Sequence, residues 1–303
     1  MASKLETLLA HDLRGALKPT TLTQYEQSWR DFTSFCSTLE AVVMPATLHT
    51  VKLYVVHLHD RGLKAGTIRS KLSAVSEKHK LSDLPDPTRS FTVSRLLDGY
   101  TLTDSAATIR RPIRFSLLVK VLEAVDGSPY IKALYKAIFA LMYFACLRIS
   151  EVALTVSLMH TLKLQDVRWR RDGAVDIVLH TYKHSGKGGA TLRVTEEVNG
   201  GVCPVGLLRN YRNLRGKKGD CFFVDQLSRV VTRAQVVAQL QATLVKVGET
   251  PIDFNSHSFR IGRTTDLYVA GFSDEAIRRI GRWSSDAWRK YIKQGTILLP
   301  TSP

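Results

Sequence analysis

The sequence is short of the features that mark several common protein classes. Cysteine is scarce: Cys36, Cys146, Cys203 and Cys221 are the only four in 303 residues, and no two form a CxxC pair. That spacing fits neither a zinc site nor a disulfide framework, so the four read as reduced, mostly buried thiols of an intracellular protein. Long apolar runs are missing too. The longest, Ala137–Leu147, is about half of what a membrane span requires. There is no GxxxxGK[ST] and no GxGxxG, hence no recognisable nucleotide loop. The N-terminus, Met1-Ala-Ser-Lys-Leu-Glu6, carries an acid early and lacks an apolar h-region, so no signal peptide is expected. Internal repeats and low-complexity stretches are also lacking.

Acidic residues are the last shortage. Asp and Glu number 27 against 43 Lys and Arg, a net charge of +16. With 44% hydrophobic and 23% charged residues the composition is that of a globular chain. Such an excess of base calls for a polyanion, either nucleic acid or an anionic membrane surface. The excess is uneven. Residues 1–110 hold 14 basic and 11 acidic residues, whereas residues 111–303 hold 29 and 16. The length allows one large domain or two ordinary ones. A break is visible where the charge balance shifts. Asp83–Thr92 contains two prolines, and the small polar stretch Thr101–Thr108 runs into Arg110-Arg111-Pro112-Ile113-Arg114. The chain therefore divides into residues 1–100, a linker over 101–111, and residues 112–303.

The first part reads as helical. Thr21 or Thr23 can cap a helix carrying Leu22, Tyr25, Trp29, Phe32 and Cys36 at helical spacing. Leu48, Val51, Val55 and Leu58 repeat the pattern up to Gly62, a C′ candidate. Ile68, Leu72 and Val75 predict a third helix, and a fourth spans about Val93 to Tyr100. The second part is mixed. Phe115–Val125 and Tyr130–Leu147 are helical by period, and the latter is apolar nearly all round, as a central core helix would be. Ala174–Tyr182 and Ala190–Thr195 alternate around His184-Ser-Gly-Lys-Gly-Gly189, which predicts a β-hairpin with a basic, glycine-rich tip. Arg233–Val247, Ser258–Ala270, Ser273–Ile280 and Asp286–Ile292 read as helices, with Ser273 a good N-cap.

Four stretches carry chemistry-bearing residues. They are Cys146-Leu-Arg148-Ile-Ser-Glu151, Tyr182-Lys183-His-Ser-Gly-Lys187, His257-Ser-Phe-Arg260-Ile-Gly262, and Gly281-Arg-Trp283 leading to Tyr291-Ile292. Each alone has an ordinary reading: an arginine paired with a nearby glutamate, a solvated hairpin lysine, a surface His/Arg pair, a docking aromatic. Their order is more specific. Arginine, hairpin lysine, HxxR, tryptophan and tyrosine in this sequence resemble the phage-integrase family of tyrosine recombinases. Trp283 follows His257 by 26 residues, and Tyr291 follows Trp283 by eight. The likeness covers about residues 112–292, and the HSFRIG, GRWSSDA and KYI wording most resembles recombinases of eukaryotic Crypton and DIRS-type mobile elements.

The resemblance implies an α+β fold, mostly α. A helical core-binding, SAM-like bundle would be followed by a mixed catalytic domain with a small antiparallel sheet, the two closing on duplex DNA as a C-shaped clamp. It implies DNA strand transfer with neither metal nor ATP, and a homotetramer at synapsis formed from monomers or dimers. Location would be intracellular, nuclear in a eukaryote and cytoplasmic otherwise. The chemistry accounts for the residue types. Attack on a phosphodiester builds charge on its nonbridging oxygens, which the planar forks of Arg148 and Arg260 match better than lysine would. Tyr291 is then the nucleophile, His257 a hydrogen-bond donor or proton acceptor, and Trp283 an indole N–H donor in place of the family's commoner histidine. Lys183 would protonate the leaving 5′ oxygen, with Lys187 the alternative and otherwise a DNA contact. Glu151 would orient Arg148. Arg110, Arg111 and Arg114 are candidate phosphate contacts at the linker, joined by Arg215-Gly-Lys217-Lys218 and by Arg278, Arg279 and Arg282.

Two departures from the family pattern stand out. Val152–Leu164 holds extra residues before Asp166-Val167, as a longer helix or an added loop. Only 12 residues follow Tyr291, with Ile297, Leu298 and Leu299 as a small apolar patch. A type IB topoisomerase and a domesticated DNA-binding protein without catalysis are the alternative functions.

Overall fold

A computed structural model describes residues 2–104, 110–182, 188–196, 201–217 and 219–294. It divides into two compact units, Met1–Ala107 and Thr108–Pro303.

The first unit is all helix: α1 (Ala2–Gly15), α2 (Pro19–Thr38), α3 (Leu48–Asp60), α4 (Ala65–Leu81) and α5 (Phe91–Thr103). Its core is Phe32, Tyr54, Val55, Ile68, Leu72, Val75, Val93 and Leu97, the apolar stripes of α2 to α5 turned inward. The start of α2 differs from the sequence expectation. Lys18 is the N-cap, and its ammonium, a donor only, makes no side-chain cap bond; Pro19 takes the first helical position and presets the backbone there. The Thr23 hydroxyl instead donates back to the Pro19 carbonyl. Gly62, with φ of 82°, follows the end of α3 in the left-handed conformation foreseen for it. α1 was not foreseen. α5 reaches Thr103, and Asp104 beyond it accepts from the Ala65 N–H at 2.8 Å, fastening the start of α4.

Asp86 braces this unit. Burial pushes its carboxyl pKa up, but bonds donated by Ser76, by Thr88 through both side chain and backbone, and by Lys80 outweigh this and lower it to about 2. The folded value lies below the unfolded one, so the carboxylate contributes stability above about pH 4 that is lost as pH falls towards 2. Asp86→Ala is expected to destabilise the protein by about 2 kcal/mol at pH 7. It should also flatten the acid limb of stability between about pH 4 and pH 2. Urea melts across that range check it, and an unchanged limb would contradict it.

The second unit is built on α7 (Pro129–Phe144), which is buried nearly all round, as its sequence predicts. α6 (Phe115–Ala124) precedes it. After the short α8 (Ile149–Val152) come β1 (Val167–Trp169), β2 (Val175–Leu179) and β3 (Ala190–Val194). They form one antiparallel sheet in the order β1-β2-β3, with Val167 opposite Ile177, and Val175 opposite Val194. The foreseen hairpin is β2–β3. The tip that holds Lys183 and Lys187 lies outside the described residues. β1 is three residues long, too short for alternation to announce it. The segment 152–164 resolves the length question: α8 stops at Val152, residues 153–163 are a loop, and Leu164 opens a 3₁₀ turn, Leu164–Asp166. That loop is stitched down where the Leu154 N–H donates to the Val231 carbonyl, and where the Phe222 N–H donates to the Leu162 carbonyl.

α9 (Pro204–Arg215) was also missed. Cys203 caps it, its sulfur accepting from the Gly206 N–H at 3.2 Å, and Val205, Leu208 and Tyr211 face α7. The basic cluster at its end is partly a core feature. Arg215 is buried and donates to the carbonyls of Phe222, Gly216, Gly219 and Cys221. It closes a turn and is not a surface charge awaiting phosphate. α10 (Arg233–Lys246), α11 (Ser258–Val269), α12 (Asp274–Gly281) and α13 (Arg289–Gln294) complete the unit, and Ser273 caps α12 as expected.

Candidate active site

Chain turns place the site more than regular elements do. After α7 the backbone turns left-handed at Cys146 (φ 48°), and Arg148 then sits at the N-cap of α8. The fully buried Glu151 carboxylate reaches back from the first turn. It accepts from the Arg148 backbone N–H at 2.8 Å and from Arg148 Nη1 at 3.2 Å. The Arg148 guanidinium lies 5.9 Å from the Tyr182 ring, at the residue before the hairpin tip.

α11 supplies the next pair. Gly262 lets this helix lie directly against the irregular segment after the linker. A Cβ there would sit 1.8 Å from the Ile113 carbonyl oxygen, a backbone atom that cannot yield cheaply. The Ile113 N–H donates to the Ser258 carbonyl across the same contact. Asp266, further along α11, accepts from Arg114 Nε at 2.7 Å, the Phe115 N–H at 2.8 Å and the Tyr143 hydroxyl. Arg111 pairs with Glu249 at 2.5 Å and lies over the Phe254 ring, while Arg110 donates to the Ile252 carbonyl. All three linker arginines thus have partners within the second unit and act as struts for the segment 110–115.

Arg260, one turn after His257, is 1% exposed. Its Nη1 donates to the Cys146 carbonyl and its Nη2 to the Gly281 carbonyl at 2.8 Å, while its buried Nε has no partner. Burial, reinforced by the neighbouring Arg148 and Arg282 charges and opposed by Cys146 and the Glu151 carboxylate, lowers its pKa to about 10. It is therefore charged in folded and unfolded states alike up to about pH 9, and its burial cost is constant over the working range. Trp283 folds back so tightly over Gly281 that a Cβ at Gly281 would fall 1.5 Å from the indole ring. That ring covers the Arg260 guanidinium at 4.7 Å and faces the Tyr291 ring at 5.8 Å. Tyr291, half-buried on α13, meets His257: Nε2 and the phenolic oxygen are 2.7 Å apart and the rings cross at 70°.

The structure therefore gathers Arg148, Glu151, His257, Arg260, Trp283 and Tyr291. Arg282 is the residue that the sequence reading misplaced. It was grouped with Arg278 and Arg279 as surface charge, yet it is 8% exposed and bonds Glu151 Oε2 at 2.7 Å. Its spacing held the signal, since it lies 25 residues after His257 and nine before Tyr291. Beside this cluster opens a cavity of about 890 Å³ walled by Tyr182, Arg193, Arg263, Arg278, Arg282 and Trp283. Among the described residues no group of three His, Cys, Asp or Glu side chains is placed to hold a metal ion, and no helix is long and apolar enough to cross a membrane.

An α+β unit with a short sheet, two buried arginines and a His–Tyr pair defines a class whose relatives are informative. No family model matches the sequence. Two curated proteins are similar over most of the chain. The integrase/recombinase XerD homolog of Selenomonas ruminantium is 24% identical over 91% of this chain and 82% of its own. The recombinase Cre of Escherichia phage P1 is 24% identical over 84% and 78%. Among solved structures, the Tn1549 transposon integrase in complex with transposon right end DNA aligns with a TM-score of 0.66 at 16% identity, covering 95% of this chain and 93% of that one. A lambda integrase dimer bound to a COC′ core site aligns at 0.65 and 14%, covering 99% and 78%. In sequence the chain is thus similar to an integrase/recombinase and to a recombinase, and in fold to integrases solved on DNA.

Proposed function

We propose that this protein is a site-specific DNA recombinase of a mobile element, of the Crypton and DIRS-like kind, which cuts and rejoins strands through Tyr291. The observation that carries this is the 2.7 Å contact between the Tyr291 hydroxyl and His257 Nε2, beside Arg148, Arg260 and Trp283. A phenol is a weak nucleophile until its proton has somewhere to go and positive charge favours the phenolate. His257 Nε2 takes the proton as the Tyr291 oxygen bonds to phosphorus. The bond from phosphorus to the 5′ oxygen breaks, and Lys183, or Lys187 in its place, donates a proton to that oxygen, which leaves as the 5′ hydroxyl. Charge on the nonbridging oxygens is met by Arg148 and Arg260, with the Trp283 N–H as a further donor. A 3′-phosphotyrosyl enzyme keeps the free energy of the phosphodiester, so a different 5′ hydroxyl can reverse the step and exchange strands.

Tyr182 supports the assignment of Lys183, because its ring lies beside Arg148 and the lysine is the next residue. The basic cavity beside the site suits a duplex whose backbone passes the scissile phosphate. Double-stranded DNA is the partner in this reading. The helical first unit is the core-binding domain, and a tetramer assembles at synapsis. A nicked suicide duplex carrying the sequences that flank the reading frame should trap a covalent adduct on the 3′ side of the nick, mapped to the Tyr291 peptide. Relaxation of plasmids lacking those sequences would point to a topoisomerase instead. Specific binding with no adduct would point to a DNA-binding protein without catalysis.

A further inference from the structure

Arg282 has no place in the proton and phosphate steps above, yet it is among the most constrained residues of the site. It ends α12 with φ 56° and ψ 50°, a left-handed backbone that a side chain other than glycine's rarely adopts. Such a position persists when the surroundings hold it, and it points to function. The surroundings here are specific. Nη1 donates to the Ala145 carbonyl at 3.2 Å, and Nη2 donates to the Cys146 carbonyl at 3.2 Å and to Glu151 Oε2 at 2.7 Å. The guanidinium also faces the Tyr182 ring at 5.6 Å, on which Arg148 lies at 5.9 Å.

These contacts converge on the turn from which Arg148 starts. Carbonyls 145 and 146 flank its left-handed bend, and the Cys146 carbonyl is shared with Arg260. The Glu151 carboxylate is held from two sides, Oε1 by Arg148 Nη1 and Oε2 by Arg282 Nη2 and the Arg148 N–H. A carboxylate gripped on one oxygen by a buried guanidinium cannot swing, and its other oxygen then sets the direction of its partner. Three acceptors in one fan also suit the planar fork of arginine, not the point charge of lysine.

We propose that Arg282 is a positioning residue for Arg148. It locks Glu151 and the turn 145–148, so that the Arg148 fork meets the scissile phosphate already aimed, its charge not spent on Glu151 alone. The inference rests on the recombinase reading of the site and adds to it a residue that acts without touching DNA. A double-mutant cycle tests it on the full chain, with Arg148→Met, Arg282→Met and the double variant. Single-turnover adduct formation on the suicide duplex is read beside duplex affinity. Arg282→Met is expected to slow cleavage about 100-fold while affinity stays within about threefold. The double variant should be no slower than Arg148→Met alone, since both changes break one relay. Arg282→Lys should recover part of the rate, and it carries the same cycle where Arg282→Met does not fold. Additive losses, or cleavage by Arg282→Met at the parental rate, would overturn the proposal. The Arg148 Nη1–H NMR resonance of the DNA-free protein, bonded to Glu151 Oε1, separates this from the recombinase reading. Loss of its protection from exchange in Arg282→Lys supports the relay even where no adduct forms, and an unchanged resonance refutes it.

Discussion

Replacing Glu151 with alanine is expected to cost about 3–5 kcal/mol of folding stability. In the molecules that still fold, strand cleavage should slow at least about 100-fold. The size follows from what the carboxylate holds. It is fully buried and accepts from the Arg148 N–H, Arg148 Nη1 and Arg282 Nη2. Without it, Arg282, 3% exposed at the side chain, keeps only two carbonyl partners and no counter-charge, with Arg260 buried close by. Removing one partner of a buried ion pair is costly because the other charge stays behind, desolvated. Glu151→Gln keeps one oxygen but turns an amide N–H₂ towards an arginine, so an intermediate loss is expected. Urea unfolding at pH 7 measures both. A loss under about 1 kcal/mol for the alanine variant would mean that the turn 145–148 is held by its carbonyl contacts alone.

Tyr291→Phe should leave folding and duplex binding nearly unchanged while lowering adduct formation at least about 10⁴-fold, below detection in a suicide-substrate assay. The substitution removes one oxygen. The ring contacts with His257 and Trp283 remain, and the single hydrogen bond lost to His257 Nε2 is worth about 1 kcal/mol. In the proposed mechanism His257→Ala removes the proton acceptor but leaves Tyr291 as the attacking group, so a slower, measurable reaction is expected, reduced by about 10²–10⁴-fold. The ranking of the two variants is the informative outcome. An adduct that survives in Tyr291→Phe would assign the nucleophile elsewhere. Equal loss in both would mean that His257 is required for more than the proton.

The predicted elements that appear as expected share one property: their pattern is local. α7 is apolar on nearly every face, α12 has a serine cap with two acids in its first turn, and β2 and β3 alternate around a glycine-rich turn. The elements missed lack such a signal. β1 is three residues long and exists because β2 pairs with it. α9 has Pro204 at its first helical position, but Cys203 is an unusual N-cap, and Arg209, Arg212 and Arg215 interrupt the apolar stripe that would announce the helix.

The side chains that cluster in the second unit, Arg148, Glu151, His257, Arg260, Trp283 and Tyr291, could be singled out by their order and spacing, which needs no coordinates. What each charge does was not legible. Arg215 and Arg282 look like solvated bases in one dimension and Arg260 like a phosphate fork, yet all three are buried against backbone carbonyls. Arg110, Arg111 and Arg114 look like a phosphate patch, and the structure adds that each also holds the segment that enters the second unit. A charge is defined by what lies around it, and those partners come from distant parts of the chain: carbonyls after α7, a carboxylate on α8, an aspartate on α11. The sequence by itself determined the helical and mixed halves, the excess of base and the order of the reactive groups. The tertiary structure alone decided which arginines face solvent and which aim another arginine, because burial and hydrogen-bond partners exist only once the chain has closed on itself.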